Sequence, residues 1–279
     1  MSNVAPENVP VRFAATVMLI DDRPKLQVFM MQRNVKTIFA GGMWVFPGGA
    51  VDATDKPELF ESISIHRSDR DASKLLDMDN GGLTFYVAAI REAFEESGIL
   101  LALHKESHSP LEIITEEDQA RFSLYRDKVN ADSQQFIKVV EKEKLILDAG
   151  QMHYVARWIT PMGPPRRFDA RFFLSRMPLA QTPIHDDSEL VHSAWFEPKD
   201  ILDKFDSGEM VLMSPTLRMI RNLANFDSAD EAIHAASLNL PSERARINQN
   251  REIILPGDPG YDQGEEDVEF GWVSLRKGG

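Results

Sequence analysis

Three glutamates fall within one short stretch, Arg91-Glu92-Ala93-Phe94-Glu95-Glu96-Ser97-Gly98-Ile99. Helix formers surround them, and on an α-helix successive residues turn by about 100°. With Glu92 at zero, Glu95 falls near −60° and Glu96 near +40°, so the carboxylates share an arc of roughly 100°. Like charges this close repel and weaken an isolated helix. Arg91 is one candidate to offset that repulsion. A divalent cation is the better one, because Mg²⁺ takes oxygen ligands and is commonly held by carboxylates together with substrate phosphates. The competing reading is a solvated acidic face. Ala88, Ala89, Ala93 and Ile99 frame the glutamates with small or apolar residues, which argues for a site but leaves the acidic face open.

A second concentration of charge is Arg166-Arg167-Phe168-Asp169-Ala170-Arg171. Guanidinium forks suit phosphate, and a nearby ring suits stacking on a base. A solvated basic turn after Pro164-Pro165, or an ion-pair network with neighbouring acids, accounts for the same residues. Trp158 and Trp195 read as core residues.

The elements that must position these groups follow from the patterning. Residues 11–20 and 26–33 are β-rich runs flanking Asp21-Asp22-Arg23-Pro24 and predict a hairpin or neighbouring strand pair. Gly41-Gly42 and Phe46-Pro47-Gly48-Gly49 predict loop and tight turn. Residues 84–103 form the strongest helix candidate. Two polar or helix-rich stretches, 56–82 and 104–150, read as insertions at the periphery, the second with helices over 116–129 and 133–147. Strands are expected at 151–160, 170–177 and 190–196, and helices at 197–205, 215–226 and 228–237. The remainder, 241–279, is loop-rich with one strand-like segment at 252–255. Strands, a charged helix, strands and then helices predict an α/β fold with a mixed sheet between helices. The domain spans 11–226, and 227–279 is an extension with a helix and loops.

The 279 residues, 43% hydrophobic and 27% charged, are the composition of a globular chain with a sizeable core. A net charge of −13, without a basic block, argues against a nucleic-acid or anionic-membrane binder. It does not argue against a small phosphorylated ligand, since a bound cation reverses the local sign. The absence of cysteine excludes disulfides, thiolate catalysis and Cys-ligated zinc. No signal peptide or membrane-spanning run is read, so the expectation is a cytoplasmic protein. A homodimer is left open.

Residues 91–99 match Arg-Glu-apolar-x-Glu-Glu-x-Gly-apolar, the second half of the Nudix box, at every fixed position. The first half is Gly-x5-Glu, and Gly49 is followed six residues later by Asp55. On these residues the chain resembles the Nudix hydrolase superfamily, which implies an α/β/α sandwich with a mixed sheet and here helical insertions. It departs from the pattern twice. Asp55 replaces Glu, so its pairing with Arg91 has a shorter reach. Between Asp55 and Arg91 lie 35 residues where the pattern has seven, 28 too many. A box split at this place resembles the coenzyme A diphosphatase branch, the peroxisomal-type enzymes and their bacterial relatives. The likeness extends in outline through 44–55, 89–101, 158–161, 166–173 and 185–195.

The resemblance implies a metal-dependent hydrolase of a nucleoside diphosphate linked to another moiety, with Mg²⁺ or Mn²⁺ as cofactor and a small nucleotide as partner. Glu92, Glu95 and Glu96 would supply or support the metal ligands, with the Gly48 carbonyl a further one, and Arg91 would orient the carboxylates. In His185-Asp186-Asp187-Ser188-Glu189, Glu189 is the first candidate for an additional catalytic acid and Asp187 the second, against an ordinary acidic turn. His185 reads as a solvated loop histidine. Upstream, Arg33, Gly42, Phe46, Pro47, Gly48 and Gly49 fit the spacing of a coenzyme A signature, while Asn34 and Ile38 do not. Arg33 is therefore a substrate-binding candidate, and Arg166, Arg167 and Arg171 are candidates for a 3′-phosphate. Coenzyme A or acyl-coenzyme A is the expected substrate. The alternatives are ADP-ribose, NADH or a dinucleoside polyphosphate, and a non-catalytic nucleotide-binding module.

Overall fold

The computed structural model of the chain describes residues 9–37, 40–183, 190–250, 252–265 and 271–277. Side chains of a strand alternate between the two faces of its sheet. Along Val11–Asp22 (β1) and Leu26–Arg33 (β2) both sets are apolar. Ala15, Val17, Leu19, Phe29 and Met31 enter one core, and Met18, Ile20, Val28 and Met30 enter a second. A sheet built this way must be covered on both sides, and it is.

The two strands form the expected hairpin, with Ile20 opposite Val28. Trp44–Val45 (β3) and Gly48–Ala50 (β4) branch from β2 and β1. His153–Ile159 (β5), Arg167–Arg176 (β6), Leu190–Phe196 (β7), Glu243–Arg244 (β8) and Gly271–Val273 (β9) complete a nine-stranded sheet in the order β7-β2-β1-β6-β5-β9-β8. β1 and β6 run parallel, from Val11 opposite Arg167 to Ile20 opposite Arg176. β2 pairs antiparallel on both its sides, so the sheet is mixed. Helix Leu83–Ser97 lies on one face, and Pro198–Asp206, Ser214–Leu223 and Ala229–Ser237 cover the other. The result is an α/β/α sandwich. No helix among the described residues is long and apolar enough to cross a membrane.

Three boundaries differ from expectation for identifiable reasons. The helix expected over 84–103 ends at Ser97 because Gly98 adopts φ 73°, the left-handed cap. The helix expected over 133–147 is only Gln135–Lys142. Leu145–Asp148 instead becomes the central strand of a small sheet between Ser64–Ile65 and Ala102–His104. The extension 227–279 is more than helix and loop, since β8 and β9 lengthen the main sheet beyond β5.

The two insertions are not peripheral. Their small shared sheet joins them, and together they form a layer over the outer side of Leu83–Ser97. Phe94 on that helix meets Phe122 and Phe136 at ring-centroid distances of 6.4 and 6.3 Å, and Phe60 meets Phe136 at 5.9 Å. Burying a side chain of this size stabilises by about 1.5–3 kcal/mol.

Candidate active site

Helix Leu83–Ser97 is buried nearly all round. Apart from Thr84, only Glu92, Glu95 and Glu96 in it are not buried. A helix apolar on every side belongs inside a protein, so the three glutamates form a narrow opening in an otherwise enclosed element. That disposes of the solvated acidic face.

Both ends of the helix are fixed by the insertions. Its N-cap, Gly82, has no side chain to offer. Asp69 accepts from the Gly81 and Leu83 amides at 3.0 and 2.9 Å, and Ser73 Oγ accepts from the Gly82 amide at 2.9 Å. At the other end Arg126 donates from Nε to the Glu95 carbonyl and from Nη2 to the Glu96 carbonyl, both at 2.7 Å. A cation at the C-terminus also complements the helix dipole. None of these three partners was legible as functional in the sequence, because each reaches the helix from an insertion outside it.

Arg91 is the hub of the site. Its Nε and one Nη2 hydrogen go to Asp55 at 2.8 and 2.9 Å, and the other Nη2 hydrogen goes to the Ala50 carbonyl at 3.0 Å. Nη1 donates to Glu92 at 3.0 Å and to Glu95 at 2.8 Å. All five guanidinium hydrogens thus have acceptors. The Asp55 and Arg91 side chains are only 1% and 4% exposed. The shorter Asp reaches its partner bidentately after all, helped by the Asp52 amide, which donates to Asp55 Oδ2 at 2.8 Å.

The paired glycines make room for the acids. A Cβ at Gly49 would stand 2.6 Å from a Glu92 carboxylate oxygen. Gly48, at φ 157°, donates its amide to Glu96 at 2.8 Å. Arg33 Nη1 lies 3.8 Å from the other Glu96 oxygen. Burial and the neighbouring Glu95 charge outweigh Arg91 and push the Glu92 carboxyl up to about 7. Burial likewise raises Glu95. Arg91 itself is held well above the usual guanidinium range by Asp55, Glu92 and Glu95 against the cost of its burial.

These residues fit a divalent cation. Asp55, Glu92, Glu95 and Glu96 set against Arg91 and Arg33 leave two negative charges when all are ionised. The three glutamate side chains stay 13–15% exposed. Among the described residues no three acids or histidines close into a ready-made cage. An open carboxylate face suits Mg²⁺-like ions, which keep waters and share substrate phosphates.

The Arg166–Arg171 group is not brought to this opening as a unit. Arg171 is 4% exposed, pairs with Asp169 at 2.6 Å and stacks 4.4 Å over Phe85, near the start of the glutamate helix. Its charge is paired with Asp169 inside the fold. Arg157, not singled out in the sequence, grips the same Asp169 with two 2.8 Å bonds. Arg167 donates to the Thr160 and Val9 carbonyls, and Arg166 is exposed. Trp158 is buried as expected, and Trp195 packs against Phe29 with Arg23 4.1 Å over its ring. His185, Asp187 and Glu189 lie outside the described residues; β7 begins at Leu190, opposite Arg33.

Residues 11–223 match the NUDT19 Nudix domain family. The chain is 25% identical over 277 residues to a Xenopus laevis protein named acyl-coenzyme A diphosphatase NUDT19, covering 88% of this chain and 73% of that one. It is 29% identical over 237 residues to the human protein of the same name, covering 74% of this chain and 62% of that one. A solved Nudix hydrolase from Alicyclobacillus acidocaldarius superposes with TM-score 0.67 at 26% identity, over 81% of this chain and 97% of the other.

Proposed function

The chain belongs to the NUDT19 Nudix domain family, and from that membership we propose that this Nudix pyrophosphohydrolase cleaves coenzyme A or acyl-coenzyme A. The products are adenosine 3′,5′-bisphosphate and (acyl-)4′-phosphopantetheine. The observation that carries the reaction is the buried Arg91 hub, which holds Glu92 and Glu95 beside the opening that Glu96 shares. The relatives named acyl-coenzyme A diphosphatase support the substrate.

Glu92, Glu95, Glu96 and the Gly48 carbonyl are the groups that would hold Mg²⁺ or Mn²⁺. Such a cation neutralises the diphosphate and lowers the pKa of a bound water. Arg91, with every donor engaged, keeps Glu92 and Glu95 in fixed orientation. Arg33, beside Glu96, is proposed to bind the diphosphate. Arg166 and Arg167 are proposed for the 3′-phosphate, and Glu189 as an additional acid.

The test is a screen with Mg²⁺ and with Mn²⁺ over coenzyme A, acyl-coenzyme A, ADP-ribose, NADH and diadenosine polyphosphates, with products identified by mass. The highest kcat/KM is expected for coenzyme A or an acyl-coenzyme A, with release of adenosine 3′,5′-bisphosphate. A higher value for ADP-ribose or a dinucleotide overturns the substrate assignment.

A further inference from the structure

Strand β4 carries the candidate active site on one face only. Glu92 stands over Gly49, whereas the next residue, Ala50, turns to the opposite face of the sheet. Ala50 is exposed there, and its carbonyl accepts from Arg91. Ala50 lies opposite Ala14 on β1, Ala14 opposite Ala170 on β6, and Ala170 opposite Trp158 on β5. Directly opposed residues share a face. Three methyl groups and an indole therefore form one row across four strands, about 14 Å long at the usual strand spacing. Ala14 packs into neither core, and Thr16 and Ala170 are only half-buried although their strands are central. The helices on this face leave the row open.

Trp158 closes the row. It is 4% exposed, yet its Nε1 has no acceptor among the described residues. A Cβ on Gly271, its neighbour on β9, would stand 2.1 Å from Cζ3 and 2.3 Å from Cε3. The six-membered ring thus overhangs Gly271, and Nε1, on the other edge of the indole, is turned to the Ala170 side. A buried donor is costly until something accepts from it. Arg218, on helix Ser214–Leu223, stands 5.9 Å over the same ring and is half-buried. A flat floor without large side chains, a buried N–H and a cation beside it suit a purine that carries an anionic group. Gly48 is two residues from Ala50, about 7 Å along the strand, and among the described residues no strand pairs with the outer edge of β4.

We infer that the adenosine half of the substrate crosses this edge from the glutamates and lies on the alanine row. Trp158 Nε1 donates to a ring nitrogen of adenine, and Arg218 joins Arg166 at the 3′-phosphate. The inference rests on the coenzyme A reading above. The pantetheine arm has neither a ring for the floor nor a second phosphate for Arg218, so the row favours the nucleotide half.

The test uses the full chain with Mg²⁺ and calorimetry on three ligands: adenosine 3′,5′-bisphosphate, adenosine 5′-phosphate and 4′-phosphopantetheine. Wild type should bind the bisphosphate about tenfold more tightly than the monophosphate. Arg218→Ala should abolish that difference and leave the monophosphate unchanged. Ala170→Leu, which sets a branched side chain on the floor, should weaken both nucleotides about tenfold. It should leave 4′-phosphopantetheine unchanged, which also reports that the variant is folded. Ala50→Leu, at the exposed end of the row, should act in the same direction. No nucleotide binding by wild type, or an equal loss of all three ligands in the two leucine variants, overturns the row as the adenosine site. An equal loss of both nucleotides in Arg218→Ala overturns the 3′-phosphate contact. The expected binding pattern without hydrolysis of coenzyme A upholds the site and sinks the proposed reaction instead.

Discussion

Glu92 and Asp55 show how far a single carboxylate's behaviour depends on its surroundings. Both lie against the same Arg91, yet Asp55 takes two of its hydrogens in the interior, whereas Glu92 takes one at the edge of an opening. Removing Asp55 leaves a buried guanidinium uncompensated, so Asp55→Ala should destabilise by about 3–5 kcal/mol in a denaturant titration. Asp55→Glu restores the usual family residue but overfills a site shaped for the shorter arm. It should still cost about 1–3 kcal/mol, and a gain in stability would show that the Asp is merely tolerated. Glu96→Gln should lower kcat by about a hundredfold or more with an unchanged melting temperature; an unaltered kcat removes Glu96 from the metal site. Arg166→Ala should raise KM for coenzyme A more than for 3′-dephospho-coenzyme A, and equal effects would remove the 3′-phosphate role. The pH dependence follows from Glu92, whose carboxyl rises from 4.5 to about 7 on folding. Between those values the folded state holds a proton that the unfolded state has released, so stability falls as pH rises through this window. A bound divalent cation favours the ionised form. The rise in melting temperature on adding Mg²⁺ should therefore be larger at pH 8 than at pH 6, and calorimetry at the two pH values checks it.

At the level of elements, side chains from outside the glutamate helix hold the backbone at both its ends. Asp69 and Ser73 from the first insertion hold its first amides, and Arg126 from the second holds the carbonyls of Glu95 and Glu96. Arg126→Met should cost about 1.5–3 kcal/mol, the range for hydrogen bonds to a charged group. It should also lower kcat about tenfold and raise the Mg²⁺ concentration needed for half activation, because the backbone carrying two of the acids loosens. Loss of stability with unchanged metal dependence would make Arg126 a structural residue only. The helix itself and its start near 83 were legible from its residues. Its end was legible only in part: Gly98 marked the stop, but apolar Ile99–Leu103 carried the expected helix past it.

At the scale of the whole molecule, the first insertion packs into the same core as the glutamate helix. Phe60, Ile63 and Leu76 of the first insertion are buried in the same core as Phe94. At about 1.5–3 kcal/mol each, their loss is comparable with the roughly 5–15 kcal/mol by which domains are stable. Shortening 56–82 to the uninterrupted spacing of the box should therefore abolish the cooperative melting transition. A variant that still melts sharply would show that the insertions are appendages.

The sequence by itself determined the reaction class, since residues 91–99 carry the second half of the Nudix box at every fixed position and so resemble that family. It also determined the sheet-forming runs, whose continuous apolar and β-favouring residues are a local signal. Only the tertiary structure decided that Arg171 is occupied by Asp169, that Asp55 reaches Arg91, and that two stretches read as peripheral meet over the helix to cap it at both ends. Apart from the Arg171–Asp169 pair, those outcomes depend on contacts between residues up to 36 positions apart. Each residue's own chemistry permits several partners, and the packed fold selects one.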